Sequence, residues 1–176
     1  NGEQLQLPAE DPTDPTVARP LGKLTINRPS GVRLNSNLEV GVASEESLVL
    51  NSGTLDLNGF NATVATTAKI KENNGNFVTN TGAYLYNATA ADAKGALIYT
   101  ATVASDAIAS GIGIKSTDIA DANLTGAVVR YPKTIPIEGI GLSVGRVYQL
   151  PVAMTTEFIE FEYGLAELRG DQSGLD

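Results

Sequence analysis

The chain of 176 residues contains no His, no Cys, no Trp and a single Met, Met154. Histidine is the most common general acid–base in enzymes, cysteine is the usual thiol nucleophile, and both are preferred ligands of transition metals. Their absence excludes disulfide bonds and the most common catalytic groups. We therefore expect a protein that is not an enzyme and that holds no cofactor and no metal.

Positive charge is also scarce. Lys and Arg number 12 against 20 Asp and Glu, which gives a net charge of -8. Nucleic acids and anionic membrane surfaces are bound through patches of Lys and Arg, so neither is an expected partner. Apolar runs are only a few residues long, and none is long enough to cross a bilayer. The expected partners are protein neighbours, including like subunits in a homo-oligomer.

What the sequence does contain is short alternating segments separated by turns. Leu24 and Ile26 alternate with polar residues, which is typical of a strand. Two hairpins are predicted, over residues 48–57 and 69–78, each around a loop containing Asn and Gly. Asn58-Gly59 is a type I′ turn signal. Further strands are predicted at residues 38–42, 96–99, 128–131, 147–152 and 157–165.

These segments predict an all-β fold. Turns recur about every 8–12 residues and no long amphipathic helix is present, which favours an antiparallel, jelly-roll-like β-sandwich. Short helical turns are predicted at residues 88–95, 103–110 and 118–123. No internal repeat is apparent.

The predicted organisation is an extended arm at residues 1–20, a β-sandwich domain at 21–166 and a polar C-terminal tail at 167–176. Four of the eight prolines lie in the arm, where they prevent a helix and favour extended backbone. The arm is either a disordered terminus or a segment that lies on a neighbouring subunit. In the second case it adds a strand to a neighbour's sheet edge, and Leu24 and Ile26 belong to that donor strand.

Two sets of side chains offer other chemistry. Glu157, Glu160 and Glu162 lie in the last predicted strand, and two carboxylates on one strand face could form a glycosidase pair. A solvated strand face is the more common use of such residues, and Phe158 makes it a candidate contact surface. Tyr84, Tyr86 and Tyr148 could form a platform for sugars, although cross-strand packing explains Tyr84 and Tyr86 as well.

Residues 128–166 carry a resemblance to a known family. Ile140-Gly141-Leu142-Ser143-Val144-Gly145 leads into a short segment ending in Leu150-Pro151, and an alternating aromatic segment, Phe158 to Tyr163, follows. This order resembles the end of the β-sandwich capsid cement or decoration proteins of tailed phages. An arginine often stands in the final strand of that family, where this sequence has Glu. The resemblance implies a small β-protein that clamps capsomers and has no enzymatic activity.

The sequence thus predicts a non-enzymatic structural assembly subunit, most consistent with a virion decoration or cement protein that stabilises a shell through subunit contacts. The alternatives are a secreted, pilus-like filament subunit at the cell surface and a carbohydrate-binding module. Deletion of residues 1–26 is expected to abolish assembly while the core still folds. The predicted assembly interface comprises Leu5, Leu7, Val17, Leu24, Ile26, Phe158, Glu160 and Glu162.

Overall fold

The structure is a computed structural model. It describes residues 21–42, 45–65, 68–73, 78–79, 95–101, 111–116, 126–131, 136–137, 141–142, 147–150 and 159–161. These residues form strands and no helix, so the predicted all-β class is confirmed for them. The strands are β1 (Leu24–Asn27), β2 (Val32–Arg33), β3 (Leu38–Val40), β4 (Glu46–Ser52), β5 (Leu55–Asp56), β6 (Ala62–Val64), β7 (Lys69–Glu72), β8 (Val78–Thr79), β9 (Leu97–Ala101), β10 (Ile114–Ser116), β11 (Gly126–Tyr131), β12 (Pro136–Ile137), β13 (Gly141–Leu142), β14 (Val147–Gln149) and β15 (Ile159–Phe161).

The first nine strands form three parallel sheets that wind around one axis. β1, β4 and β7 form one sheet, and β2, β5 and β8 form a second. β3, β6 and β9 are neighbours in a third sheet, which extends further. Each strand therefore pairs with the strands three places before and after it, and all of these pairings are parallel. This connectivity is that of a parallel β-helix, or solenoid, of three coils.

The coils repeat in the sequence. Leu24 pairs with Leu48, which pairs with Ile70, so the first two coils are of nearly equal length. The expectation that the chain has no internal repeat is therefore wrong for this region. The third coil is longer, because Ala62 pairs with Leu97. The repeat is one of register and burial rather than of residue identity, and for that reason it is hard to see in the sequence.

Both predicted hairpins are wrong. β4 continues through Asn51 and Ser52 and does not pair with β5, and β7 does not pair with β8. The connection at Gly53 and Thr54 takes the chain from one sheet to another. Asn58-Gly59 does form a tight turn with positive φ at both residues, 50° and 83°. It connects β5 to β6, which also lie in different sheets, so this turn is a corner of a coil.

Aliphatic side chains stack inside the solenoid, one coil above the next. Ile26 and Leu50 are 3% and 0% exposed and lie in register. In β1 the neighbours of Ile26, Thr25 and Asn27, are exposed, as the alternation along a strand predicts. The inner columns bury enough apolar surface to hold the coils together, at about 1.5–3 kcal/mol for each fully buried Leu or Ile. The other columns are Leu24–Leu48–Ile70, Leu38–Ala62–Leu97 and Val40–Val64–Tyr99.

Asparagine side chains connect the coils at their corners. The backbone N–H of Asn61 donates to Asn37 Oδ1 at 2.9 Å, and the N–H of Ala96 donates to Asn61 Oδ1 at 3.3 Å. At another corner, Asn73 Nδ2 donates to Asn51 Oδ1 at 2.7 Å. Corner backbone groups have no sheet partner, so side-chain oxygens satisfy them. The Asn residues that suggested hairpin turns therefore link one coil to the next.

Beyond β9 the described pairings become antiparallel. β11 pairs with β9 and β14 pairs with β11, which extends the third sheet to five strands. β10 pairs with β15, and β12 pairs with β13, also antiparallel. The antiparallel prediction is thus correct for these strands and wrong for the three coils. The described residues do not form a jelly roll. In a jelly roll, neighbouring strands pair antiparallel, whereas β4 does not pair with β5 and β7 does not pair with β8.

A second, smaller apolar cluster lies on the other face of the five-stranded sheet. Ala96, Ile98, Val129 and Tyr131 form it, with Val147 packed against them. Tyr131 Oη donates a hydrogen bond to Gln149 Oε1 at 3.0 Å, and burial raises the pKa of this tyrosine. The predicted arm at 1–20 and tail at 167–176 lie outside the described residues, as do nearly all residues of the three predicted helical turns.

Candidate functional site

The most unusual polar group in the described residues is a buried arginine. Arg130 lies in β11, within a run of apolar residues, and is 0% exposed. Its Nη1 lies 2.7 Å from Glu72 Oε2, and its Nη2 lies 2.9 Å from Glu72 Oε1. The pair is bidentate, which is the geometry that a guanidinium and a carboxylate favour. The Glu72 side chain is 10% exposed, so both charges lie largely away from solvent.

Glu72 stands at the end of an interior column. It follows Ile26 and Leu50 in register, so a carboxylate occupies the position that aliphatic side chains hold in the first two coils. Arg130 pairs in register with Leu97 of the third coil. The ion pair therefore connects the last coil of the solenoid to the antiparallel strands that follow it.

Residues 111–113 lie over the same end of the solenoid. The carbonyl oxygen of Ile112 accepts hydrogen bonds from Arg130 Nη1 at 3.4 Å and from Tyr148 Oη at 3.0 Å. Ile112 is 0% exposed and belongs to the main core. Gly111 has φ +76°, and a Cβ at this position would lie 2.0 Å from the carbonyl oxygen of Ile70 in β7. The backbone of Gly111 thus packs directly on the last coil.

The chemistry of this group is structural. Both terminal nitrogens of Arg130 bind Glu72, and the nearby carbonyl belongs to the backbone. A buried pair of this kind contributes little net stability, but it fixes which segments meet, because either charge alone is costly in the interior. Its role is to close the C-terminal end of the solenoid.

A second charged group lies on the outside of the first sheet. Lys71 Nζ donates to Glu46 Oε1 at 2.9 Å, and both side chains are about half exposed. This hydrogen bond lowers the pKa of Glu46, and the charges of Lys71, Lys23 and Lys69 lower it further. The face thus carries a small cluster of positive charge on a protein that is negative overall. Exposed pairs of this kind contribute little to stability.

The predicted interface residues are dispersed. Leu24 and Ile26 belong to β1, which pairs with β4 of the same chain, and Ile26 is buried in the core. β1 thus belongs to a sheet of this chain, and the contact of Leu24 and Ile26 with a neighbour's sheet edge stays a prediction. Glu160 lies in β15, opposite Lys115 in register. The remaining predicted residues lie outside the described residues: Leu5, Leu7, Val17, Phe158 and Glu162.

The residues proposed for other activities are only partly described. Tyr148 is half-buried against the core and donates its hydroxyl to the Ile112 carbonyl, so it is a packing residue rather than an open platform for sugars. Tyr84, Tyr86, Glu157 and Glu162 lie outside the described residues. In the part of the chain that the structure describes, no group of three or more Asp and Glu side chains could hold a metal ion.

Sequence reasoning missed the Arg130–Glu72 pair. The available signal was Arg130 itself, since an arginine inside the apolar run Val128 to Tyr131 must find a partner if the strand is buried on both faces. Glu72 was not identifiable as that partner, because it is distant in the sequence and its inward orientation depends on the coil register.

Comparison with known proteins gives no relative. No protein-family model matches the chain, and neither a curated protein nor a solved structure matches it. Within the described residues, no helix is long and apolar enough to cross a membrane.

Proposed function

We propose that this protein is a non-enzymatic structural subunit that acts by binding neighbouring protein subunits. The role that suits it best is a decoration or cement protein on a virion shell. The main support for the proposal is that the buried and corner polar side chains of the described region bind other parts of the same chain. These side chains are Arg130, Glu72 and the corner asparagines. In the described region these side chains hold the fold together, which suits a subunit that presents a fixed surface to its neighbours.

A capped solenoid also suits this role better than a filament formed by stacking of coils. Head-to-tail stacking of parallel coils needs a free edge at each end of the subunit. Gly111 and Ile112 lie against the last coil and leave no room for a neighbour's strand beside Ile70. Within the proposal, subunits therefore meet through outer faces, and the filament alternative would require exchange of a separate strand.

Electron microscopy of the protein in its native assembly tests the proposal directly. Density for this chain on the outer surface of a closed shell is the expected result. Continuous fibres of this one subunit would replace the proposal with the filament alternative. A monomer that binds glycans in an array and no protein neighbour would replace it with the carbohydrate-binding alternative.

A pair of variants then identifies the interface. Phe158→Ala combined with Glu162→Lys alters the predicted contact strand, whereas Lys71→Met alters an exposed residue of β7 that the proposal does not use. Cosedimentation with undecorated shells should fall at least tenfold for the first variant and stay unchanged for the second. Equal binding by all three proteins would remove this strand from the interface.

The structure changes how the arm can be tested. Deletion of residues 1–26 would remove most of β1 together with Ile26, which is 3% exposed, so the core would not survive intact. A truncation that leaves the three described coils whole must end before Leu21, which already pairs with Val40.

A further inference from the structure

In the described part of the chain, the first coil of the solenoid has an edge with no strand beside it. β1 pairs with β4 on one side, and among the described residues no strand pairs with its other side. An unpaired edge leaves backbone N–H and C=O groups available for another strand. The interior side chains of this outermost coil are nevertheless buried, with Ile26 at 3%, Leu38 at 2% and Val40 at 0% exposure. An end coil with so little exposed apolar surface indicates that something covers it.

The chain just before β1 already begins such a cover. Leu21 forms a parallel bridge with Val40 of β3. Its N–H donates to Glu39 O at 2.8 Å, and its carbonyl accepts from Gly41 N at 2.9 Å. Leu21 therefore occupies the place of a β3 residue in one further coil, which precedes the first coil in the sequence.

We propose that Gln4-Leu5-Gln6-Leu7 adds to the free edge of β1 in its own chain, as the first strand of an additional coil that closes the N-terminal end of the solenoid. The register of this added strand follows from the number of residues between the β1 column and the β3 column. The interval from the β1 column to the β3 column is the same in the first two coils, from Ile26 to Val40 and from Leu50 to Val64, and it is longer in the third coil, from Glu72 to Tyr99. The interval from Leu7 to Leu21 has this same length.

In this register Leu7 would lie over Ile26 and Leu5 over Leu24, so each would continue an interior column. Gln4 and Gln6 would fall at outward positions, as alternation along a strand requires. Glu3 would come near Lys23, a residue of opposite charge. Sequence alternation, coil spacing and charge therefore agree on one position for this segment.

The prolines of the segment suit an outermost coil. Pro8, Pro12, Pro15 and Pro20 supply no backbone N–H, and such residues are tolerated where no further strand must pair. Terminal repeats of solenoids differ from inner ones for the same reason, since they must end the stack. An end coil rich in proline also prevents edge-to-edge association with other copies.

This inference is independent of the proposed function. It assigns residues 1–20 to the protein's own fold, whereas the sequence alone had favoured an arm on a neighbour. The assembly interface then lies elsewhere on the surface.

Engineered thiols test the register, because the chain has no Cys of its own. Gln6→Cys with Thr25→Cys places two thiols directly opposite, about 4.8 Å apart between Cα atoms, within disulfide range. Glu10→Cys with Thr25→Cys is the matched control, which is displaced from this register along the chain. We expect the first pair to form a disulfide within one chain at least ten times faster than the control.

Every other outcome overturns the proposal. A first pair that stays reduced, or a control that oxidises as fast, would show that the segment does not occupy this edge. Disulfides between two chains would assign the edge to a neighbour's arm. As a second measurement, Leu5→Asp with Leu7→Asp should increase hydrogen exchange of the β1 amides at least tenfold, and unchanged exchange would equally refute it.

Discussion

Replacing Arg130 by Met tests whether the buried ion pair holds the end of the solenoid. The substitution keeps a long side chain in β11 but removes the charge that lies 2.7 Å from Glu72. Glu72 would then keep a side chain that is only 10% exposed and would lose the guanidinium that it binds. Arg130→Met should therefore destabilise the fold much more than an ordinary surface change.

The expected magnitude follows from the burial of both partners. Removing one member of a buried pair typically costs about 3–5 kcal/mol, because the remaining charge stays in the interior. Glu72→Leu should cost a similar amount for the same reason. The double substitution should restore stability to within about 1 kcal/mol, since Leu at position 72 continues the column of Ile26 and Leu50.

Urea unfolding followed by far-UV circular dichroism measures all four proteins, and the chain's lack of Trp does not affect this signal. Each single variant should lose far more free energy of unfolding than the double variant, which gives a coupling energy of several kcal/mol between residues 72 and 130. A loss below about 1 kcal/mol for Arg130→Met would refute it. A double variant as unstable as the single ones would show that the charges do not compensate each other.

Two other predictions concern the backbone and the exposed charges. Gly111→Ala should lower the free energy of unfolding by at least about 1–3 kcal/mol in thermal or urea unfolding. The reason is that φ is +76° and that the new Cβ would meet the Ile70 carbonyl. The control Gly22→Ala should change the free energy of unfolding by no more than about 0.5 kcal/mol. Lys71→Met should raise the pKa of Glu46 towards 4.5 in an NMR titration, because it removes the hydrogen bond that lowers this pKa. The stability advantage of the native chain over this variant is present above pH 4.5 and is lost as the pH falls through the pKa of Glu46 in the folded state. A pKa of Glu46 that does not move in the variant would contradict the role given to the Lys71 hydrogen bond.

The sequence predicted the local structure well and the pairing poorly. Alternation identified β1, with Ile26 inward and Thr25 outward, and the apolar run at residues 96–99 predicted the strand that the structure has as β9. Alternation reports which side chains share a face, but it does not report which strand lies alongside. A loop such as 51–53 suits both a hairpin and a coil corner, since each needs a sharp turn with a glycine.

The same limit applies to the candidate functional residues. Leu24 and Ile26 follow a proline-rich segment, and only the parallel register with Leu48 and Leu50 shows that β1 pairs with a strand of its own chain. Arg130 was recognisable as an arginine in an apolar strand, but its partner depends on contacts between distant coils. Long-range register is set by the summed burial of many columns and is not encoded in any single segment.

The two ends of the solenoid differ, and this difference bears on how copies could associate. At the C-terminal end, Gly111 packs on Ile70 and Arg130 binds Glu72, so the last coil is covered by the same chain. At the N-terminal end, Leu21 covers β3, and no described strand covers β1. Stacking of identical coils would need one open end to meet another, and the covered end stops such growth after a single contact. A finite assembly through the outer faces is therefore more consistent with this fold than a filament built by coil stacking.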